Sequence, residues 1–363
     1  MTDRVRRLEQ VRNSPLRAGA VLPAFALALL ALFTLRIALG SVSIPAADVL
    51  RALSGLPTER AASATIITRF RLPRAVAAVV AGAALGSCGA AMQTMFRNPL
   101  AGPFVLGINA GASLGAAVVL LGVAGGAGGV TAGVLAAGVQ GFPAFFLAAA
   151  SFVGAALLML VILAAARVVS NPVSLLVIGI LTGYAVNAVV SVLIHSAGAE
   201  QVQSYIAWTF GSFAGVSRAQ LPVLVGAVAI GMVLLLSATR MLDAALLGER
   251  YAESLGVPPR KIRRRVIIST AFLAGPVTAF CGPIAFIGMA TPHLVRTLTG
   301  RSTHATVLTG SALAGAALAL AGDLIASMPG TEASLPLNAV TALFGAPVVI
   351  AVLLGRSTLE TRV

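Results

Sequence analysis

The sequence predicts an all-α, polytopic membrane protein, and three observations predict it. Hydrophobic residues make up 58% of the chain and charged residues only 10%, against roughly 25% charged in soluble domains. Charge-free windows long enough to cross a bilayer as a helix recur along its length. The chain also holds 38 glycines but only 5% aromatic residues, a composition that lets helix backbones approach closely in lipid. Mean hydropathy is +0.98. In a soluble protein the formal charge of +14 would suggest nucleic acid. Here the basic excess of cytoplasmic loops accounts for it, so no nucleic-acid partner is expected.

The windows give about ten transmembrane helices. Ala18–Leu35 is the first and Ala75–Phe96 the second. No charge occurs between Arg97 and Arg167, and glycines with a proline near Gly125–Pro143 split that region into Phe104–Val123 and Ala144–Ala166. Ser174–Ile194 is the fifth and Leu221–Thr239 the sixth. Val266–Pro292 is long for one span and short for two. Its Gly275-Pro276 and Gly282-Pro283 pairs interrupt helices, so it reads as two short or tilted ones. Thr303–Ala326 and Asn338–Leu354 complete the count. An even number puts both termini on one side, and the N-in, C-in arrangement leaves most of the 25 Lys and Arg residues in the cytoplasm. Residues 1–17 then form a basic cytoplasmic tail, 18–355 a single transmembrane domain and 356–363 a second tail. Residues 1–18 lead into a full span without an A-x-A site, so no cleaved signal peptide is expected.

Leu242–Arg265 is the long charged, amphipathic segment of the chain, set between two apolar runs. It is the natural place for a partner to push from the cytoplasm. On the outer side, Arg69, Arg71 and Arg74 cluster before the second span, against the insertion bias. They read either as interfacial arginines snorkelling to headgroups or as a docking site for carboxylates. Gly82, Gly86 and Ala90, and Gly107, Gly111 and Gly115, recur every four residues and predict helix–helix contact faces. Asp323, near the outer end of the ninth span, is an exception among spans that mostly lack carboxylates. That scarcity argues against an ion-coupled secondary transporter, which buries ionisable groups on its path. A channel or structural protein would not need the charged segment.

Cys88 and Cys281 read as small buried hydrophobes, not a disulfide. His293 is read as a helix-end residue in preference to a haem or metal ligand. His195 and His304 read as loop or helix-end residues, and no metal-ligand spacing is present. Tyr184, Asn187 and Ser191 share one face of the fifth span and either line a path or join helices. The chain carries no P-loop and no enzymatic activity is expected of it.

Five motifs follow one another from Arg71 onward. They are RLPR at Arg71–Arg74, GAALGSCGAAMQTMFRNPLAGPFVLGINAGASLG at Gly82–Gly115 and LGERYAESLGV at Leu247–Val257. GPIAFIGMATPHLVR at Gly282–Arg296 and LPLNAVTALFGAPVVIAVLL at Leu335–Leu354 complete the series. In this order and spacing the chain resembles the permease family of ABC importers for iron–siderophore complexes, haem and cobalamin. The resemblance implies a homodimer of ten-helix subunits in the bacterial inner membrane, with one translocation path at the dimer interface. Its implied partners are a cytoplasmic ABC ATPase dimer, which carries the ATP and Mg, and a periplasmic substrate-binding protein. No cofactor is bound by the permease chain itself.

Residue by residue, the resemblance implies three sites. Leu247, Gly248, Glu249, Ala252, Leu255 and Gly256 match a coupling helix that rests on the ATPase. Arg71 and Arg74 match arginines that receive glutamates of the binding protein. Asn98, Pro99 and Leu100 match a loop near the inner gate. Two departures bear on docking: Ser327 stands where such permeases present a third arginine, and Ser334–Asn338 replaces an E-L-P-x-G segment. Overall resemblance favours haem slightly as the cargo, or a ferric siderophore, with cobalamin behind them.

Overall fold

The computed structural model describes residues 15–40, 42, 44–121, 142–169, 171–327 and 334–360. Every regular element among them is helical. The chain begins with α1 (Pro15–Ala38) and the short α2 (Ala46–Leu53). α3 (Ala61–Thr65), a π-helical turn (Ile66–Arg71) and α4 (Leu72–Phe96) then run on as one helix. A 3-10 turn (Pro103–Leu106) leads into α5 (Ile108–Leu120), followed by α6 (Phe142–Val168), α7 (Pro172–Ser196) and α8 (Ala199–Thr209). The second half contains α9 (Leu221–Leu236), α10 (Thr239–Leu246), α11 (Glu249–Ser254) and α12 (Pro259–Cys281). α13 (Ile287–Thr299), α14 (His304–Ala326) and α15 (Leu337–Glu360) close the chain.

Each apolar window coincides with a helix over the residues described, but not every helix is a full-length span. Residues 19–38, 62–96, 144–168, 172–196 and 304–326 are long and apolar enough to cross a membrane, and α9 with α10, bent by 49°, makes a sixth. α5 and residues 337–350 are shorter apolar helices. α12 begins with the basic run PRKIRRR, and α13 has only 13 residues. Most of the Gly125–Pro143 stretch, residues 1–14 of the N-terminal tail and residues 361–363 lie outside the described residues.

The division of Val266–Pro292 into two helices is observed, at a different place from one of the two expected. α12 runs straight through Gly275-Pro276. A proline removes one backbone bond, a loss that packing on neighbouring helices tolerates in a membrane, and α12 packs on α4, α6 and α9. The break falls at Gly282-Pro283 alone, where Gly282 has φ +73° and Phe286 φ +67°. Phe286 holds a backbone region that costs a non-glycine residue about 1–3 kcal/mol. Space for it comes from Gly345 of α15, where a Cβ would overlap the Phe286 side chain.

α4 is the central helix, buried along nearly its whole length. It packs on α12, α13 and, most extensively, α14. The small-residue faces do what their spacing predicts. A Cβ at Gly82 would overlap the Gly315 carbonyl, and one at Gly86 the Ser311 carbonyl, both in α14. Gly111 and Gly115 of α5 meet Gly154 and Ala150 of α6 in the same way. Cys88 and Cys281 are buried free thiols, as expected.

Two elements had no apolar window to announce them. α2 buries Asp48, whose carboxylate accepts the Glu59 backbone N–H at 3.1 Å. α8 packs on α5 and stacks Tyr205 on Trp208 with ring centroids 6.3 Å apart.

Candidate functional site

The sequence-derived site residues fall at the two ends of the α4–α14 pair. At the first end, the π-helical turn feeds Arg71 and Arg74 into the start of α4, and Pro73, which has no backbone donor, follows just after the turn. The two arginines do different work. Arg71 is buried and turned toward the end of α1, donating to the Ile37 carbonyl at 2.9 Å, to the Ala38 carbonyl at 2.7 Å and to the Val42 carbonyl. It thereby satisfies carbonyls that a helix C-terminus leaves without partners. Arg74 is 22% exposed and forms a bidentate pair with Asp323 of α14, Nη2 to Oδ1 at 2.8 Å and Nε to both oxygens at 3.0 Å. Arg36 of α1 adds a third contact, Nε to Asp323 Oδ2 at 2.5 Å. Arg69 is exposed.

The same end carries the departures noted in the sequence. Ser327 Oγ donates to the Leu324 carbonyl at 3.1 Å and adds no charge. Asn338 is a stitch: its Oδ1 accepts the Ala285 N–H at 2.9 Å and its Nδ2 donates to the Thr209 carbonyl at 3.0 Å. It ties α15 to the break before α13 and to the end of α8.

At the opposite end, the charged segment folds as α10, α11 and the start of α12. Gly248 (φ +118°) and Gly256 (φ +75°) bracket α11. Both are backbone conformations that side chains disfavour, which explains the two Leu-Gly pairs. Ala252 is fully buried and seats α11 on the bundle. Leu247, Tyr251 and Leu255, four residues apart, are 66%, 49% and 57% exposed. They expose apolar surface just before, on and just after α11, on a segment outside the apolar windows. The Glu249 side chain lies outside the description.

The charged segment is anchored to the bundle through a polar chain that starts on α10. Asp243 of α10 accepts both the backbone N–H and the Nδ1 of His304, at 2.8 and 2.7 Å, capping the start of α14. The other ring nitrogen of His304 contacts Thr94 Oγ1 of α4 at 2.8 Å. Close by, Arg97 in a left-handed conformation (φ 48°) ends α4. The Asn98 carboxamide accepts the Leu100 N–H at 2.9 Å, folding Asn98, Pro99 and Leu100 into a tight turn. His293 Nε2 donates to the Pro99 carbonyl at 2.8 Å, which fixes that turn to α13. A cavity of about 280 Å³ lies between the turn, the end of α10 and α13, with Arg97, Leu246 and His293 in its lining.

Sequence reasoning missed Arg36, Asp243, Thr94 and Tyr251 as parts of these sites, and gave His304 no partner. One signal was available: a charge inside a span requires a partner, and Arg36 and Asp323 are such charges. Tyr184, Asn187 and Ser191 are exposed on α7, with Ser191 Oγ bonded to the Asn187 carbonyl at 2.9 Å.

Comparison with known proteins gives this arrangement a context. The family model of the FecCD transport family matches residues 28–355. The vitamin B12 import system permease proteins BtuC of Salmonella typhi and Citrobacter koseri are each 34% identical over 290 residues, which is 79% of this chain and 83% and 82% of theirs. A solved structure described as an inward-facing conformation of a metal-chelate type ABC transporter superposes with a TM-score of 0.77 at 25% identity, covering 93% of this chain and 99% of its own. The chain belongs to the FecCD transport family and is a membrane permease of an ABC importer of the metal-chelate and cobalamin type.

Proposed function

We propose that this chain is the membrane subunit of a bacterial inner-membrane importer that moves cobalamin from a periplasmic binding protein into the cytoplasm. It crosses the membrane ten times, N-in and C-in, and works as a homodimer beside a separate ATPase dimer that binds ATP and Mg. The cargo differs from the haem favoured by overall resemblance. Relatives described as vitamin B12 permeases weigh toward cobalamin. The likeness to a metal-chelate transporter keeps a ferric chelate, haem included, as the second reading.

The observation that carries the coupling role is the exposed apolar surface of Leu247, Tyr251 and Leu255, at the two ends and on the open side of α11, whose other side is seated by Ala252. Covering the exposed part of each leucine releases roughly 1–2 kcal/mol before association costs, which favours seating α11 in a groove of the ATPase. Leu247, Gly248, Glu249, Ala252, Leu255 and Gly256 thus form the coupling site, the glycines setting the angle and the leucines making contact. Motion of α11 passes through Asp243 to His304 and so to α14. The Asn98–Leu100 turn, held by His293, serves as the inner gate. Arg74 is the contact residue of the docking face, with Arg71 holding the end of α1 beneath it.

The two polar side chains Tyr184 and Asn187 on the outer face of α7 support the dimer. An amide facing hydrocarbon is costly, whereas one facing a wet path between two copies is not. The cargo is tested by uptake into proteoliposomes holding the permease, its ATPase and its binding protein. ATP-dependent accumulation of cobalamin but neither haem nor a ferric siderophore is expected; accumulation of an iron chelate alone would move the cargo to the second reading.

A further inference from the structure

We infer that Asp323 is a carboxylate lock on the docking face: it fills the guanidinium fork of Arg74 until a carboxylate of the binding protein takes its place. The inference rests on the docking role proposed for Arg74. Three features of this end of the bundle carry it. The first is charge. Arg36, Arg71 and Arg74 converge on this end, and Asp323 pairs with two of them, while Asp48 and Glu59 of the neighbouring α2–α3 stretch pair with Arg51 instead. Arg69 adds an exposed charge two residues before Arg71. A second carboxylate arriving from outside is therefore attracted to the face, where it replaces Asp323 in the Arg74 fork while Asp323 stays paired with Arg36.

The second feature is that the exchange orphans no group. A buried carboxylate stripped of its partner is strongly destabilised. Asp323 has two partners, and the Arg36 contact at 2.5 Å remains when Arg74 leaves. Arg74 exchanges one bidentate carboxylate for another, so its fork is filled before and after. The third feature is access. Asp323 and Arg36 are buried, at 2% and 4% side-chain exposure, while Arg74 is 22% exposed. A partner on the outer side reaches Arg74 and leaves the Arg36–Asp323 pair alone.

The exchange has a structural consequence. Arg74 belongs to α4 and Asp323 to α14, and their pair clasps the outer ends of two helices that are otherwise joined by close glycine contacts. Docking thereby loosens one specific clasp, at the end of the bundle where the cargo arrives. The binding protein then acts on the permease as well as delivering to it.

The test measures affinity of the binding protein for the whole permease–ATPase complex in nanodiscs. Asp323→Asn frees Arg74, and affinity should rise at least about fivefold, the lower range of measured couplings. Arg74→Ala should weaken binding, and the double variant should bind like Arg74→Ala alone. If Asp323→Asn leaves affinity unchanged while Arg74→Ala weakens it, the lock is overturned and docking stands. If Arg74→Ala itself has no effect, the docking role fails, and the lock with it. A second measurement keeps Asp323 in place, in case its removal prevents folding. Spin labels go at the exposed Phe70 and Ile325 positions; the native cysteines are buried. The label separation should widen when the binding protein docks, and an unchanged separation with the protein bound would overturn the lock.

Discussion

Arg71 and Arg74 are the same residue type three positions apart, and the structure gives them opposite situations. One is spent on carbonyls at the end of α1 and the other reaches Asp323 with part of its surface in the open. The motif places both arginines at one end of α4. It cannot divide their work, because that depends on Ile37, Val42 and Asp323, which are near in space and distant in the chain. Asn338 makes the same point. As a departure from a familiar segment it read as a loss at the docking site, yet its amide ties three elements together. Asn338→Ala removes an acceptor and a donor at once. A net side-chain bond is worth about 0.5–1.5 kcal/mol, and an unsatisfied buried partner more. The variant should lose about 1–3 kcal/mol, read as a lower Tm of the detergent-solubilised protein, and an unchanged Tm would contradict the stitch.

Helices were the most legible level of this chain. Charge-free windows located α1, α4, α6, α7, α9 and α14 to within a few residues, because lipid forces each spanning segment to be both apolar and internally hydrogen-bonded. α2 and α8 escaped notice because their burial is partial and their composition mixed. Pro276 misled for the opposite reason: local propensity forbids it, and packing on three neighbours permits it. The four-residue glycine spacing was read correctly because close approach leaves a compositional mark. It supplies a sharp contrast. Gly315→Val places a branched side chain against the Gly82 carbonyl, and the α4–α14 contact cannot form. Gly226→Ala in α9 meets nothing within 4 Å. Size-exclusion chromatography should recover folded Gly226→Ala at the parent level and little folded Gly315→Val.

Across the whole molecule, α14 joins the two proposed partner faces. Its 23 residues span roughly 34 Å at 1.5 Å per residue, about the thickness of the hydrocarbon core. Asp243 of the coupling segment holds its first residue, and Arg74 and Arg36 hold Asp323 near its other end. Between them, glycine contacts fasten it to α4, so the two ends are joined by one packed helix pair. The sequence showed the coupling segment and the arginine cluster as separate features; the helix between them read only as another span. Cargo was the least legible property, since none of the motifs quoted from the sequence carries a residue type that depends on the molecule passing through. The proposed role of α11, to receive the ATPase's motion, is open to a direct test. Binding-protein-stimulated ATP hydrolysis is compared in proteoliposomes for the parent and for Leu247→Ser/Leu255→Ser, a change confined to exposed positions. The double variant should lose at least about tenfold of the stimulated rate, as for a lost interface anchor, at an unchanged Tm; a stimulated rate equal to the parent's would rule the coupling role out.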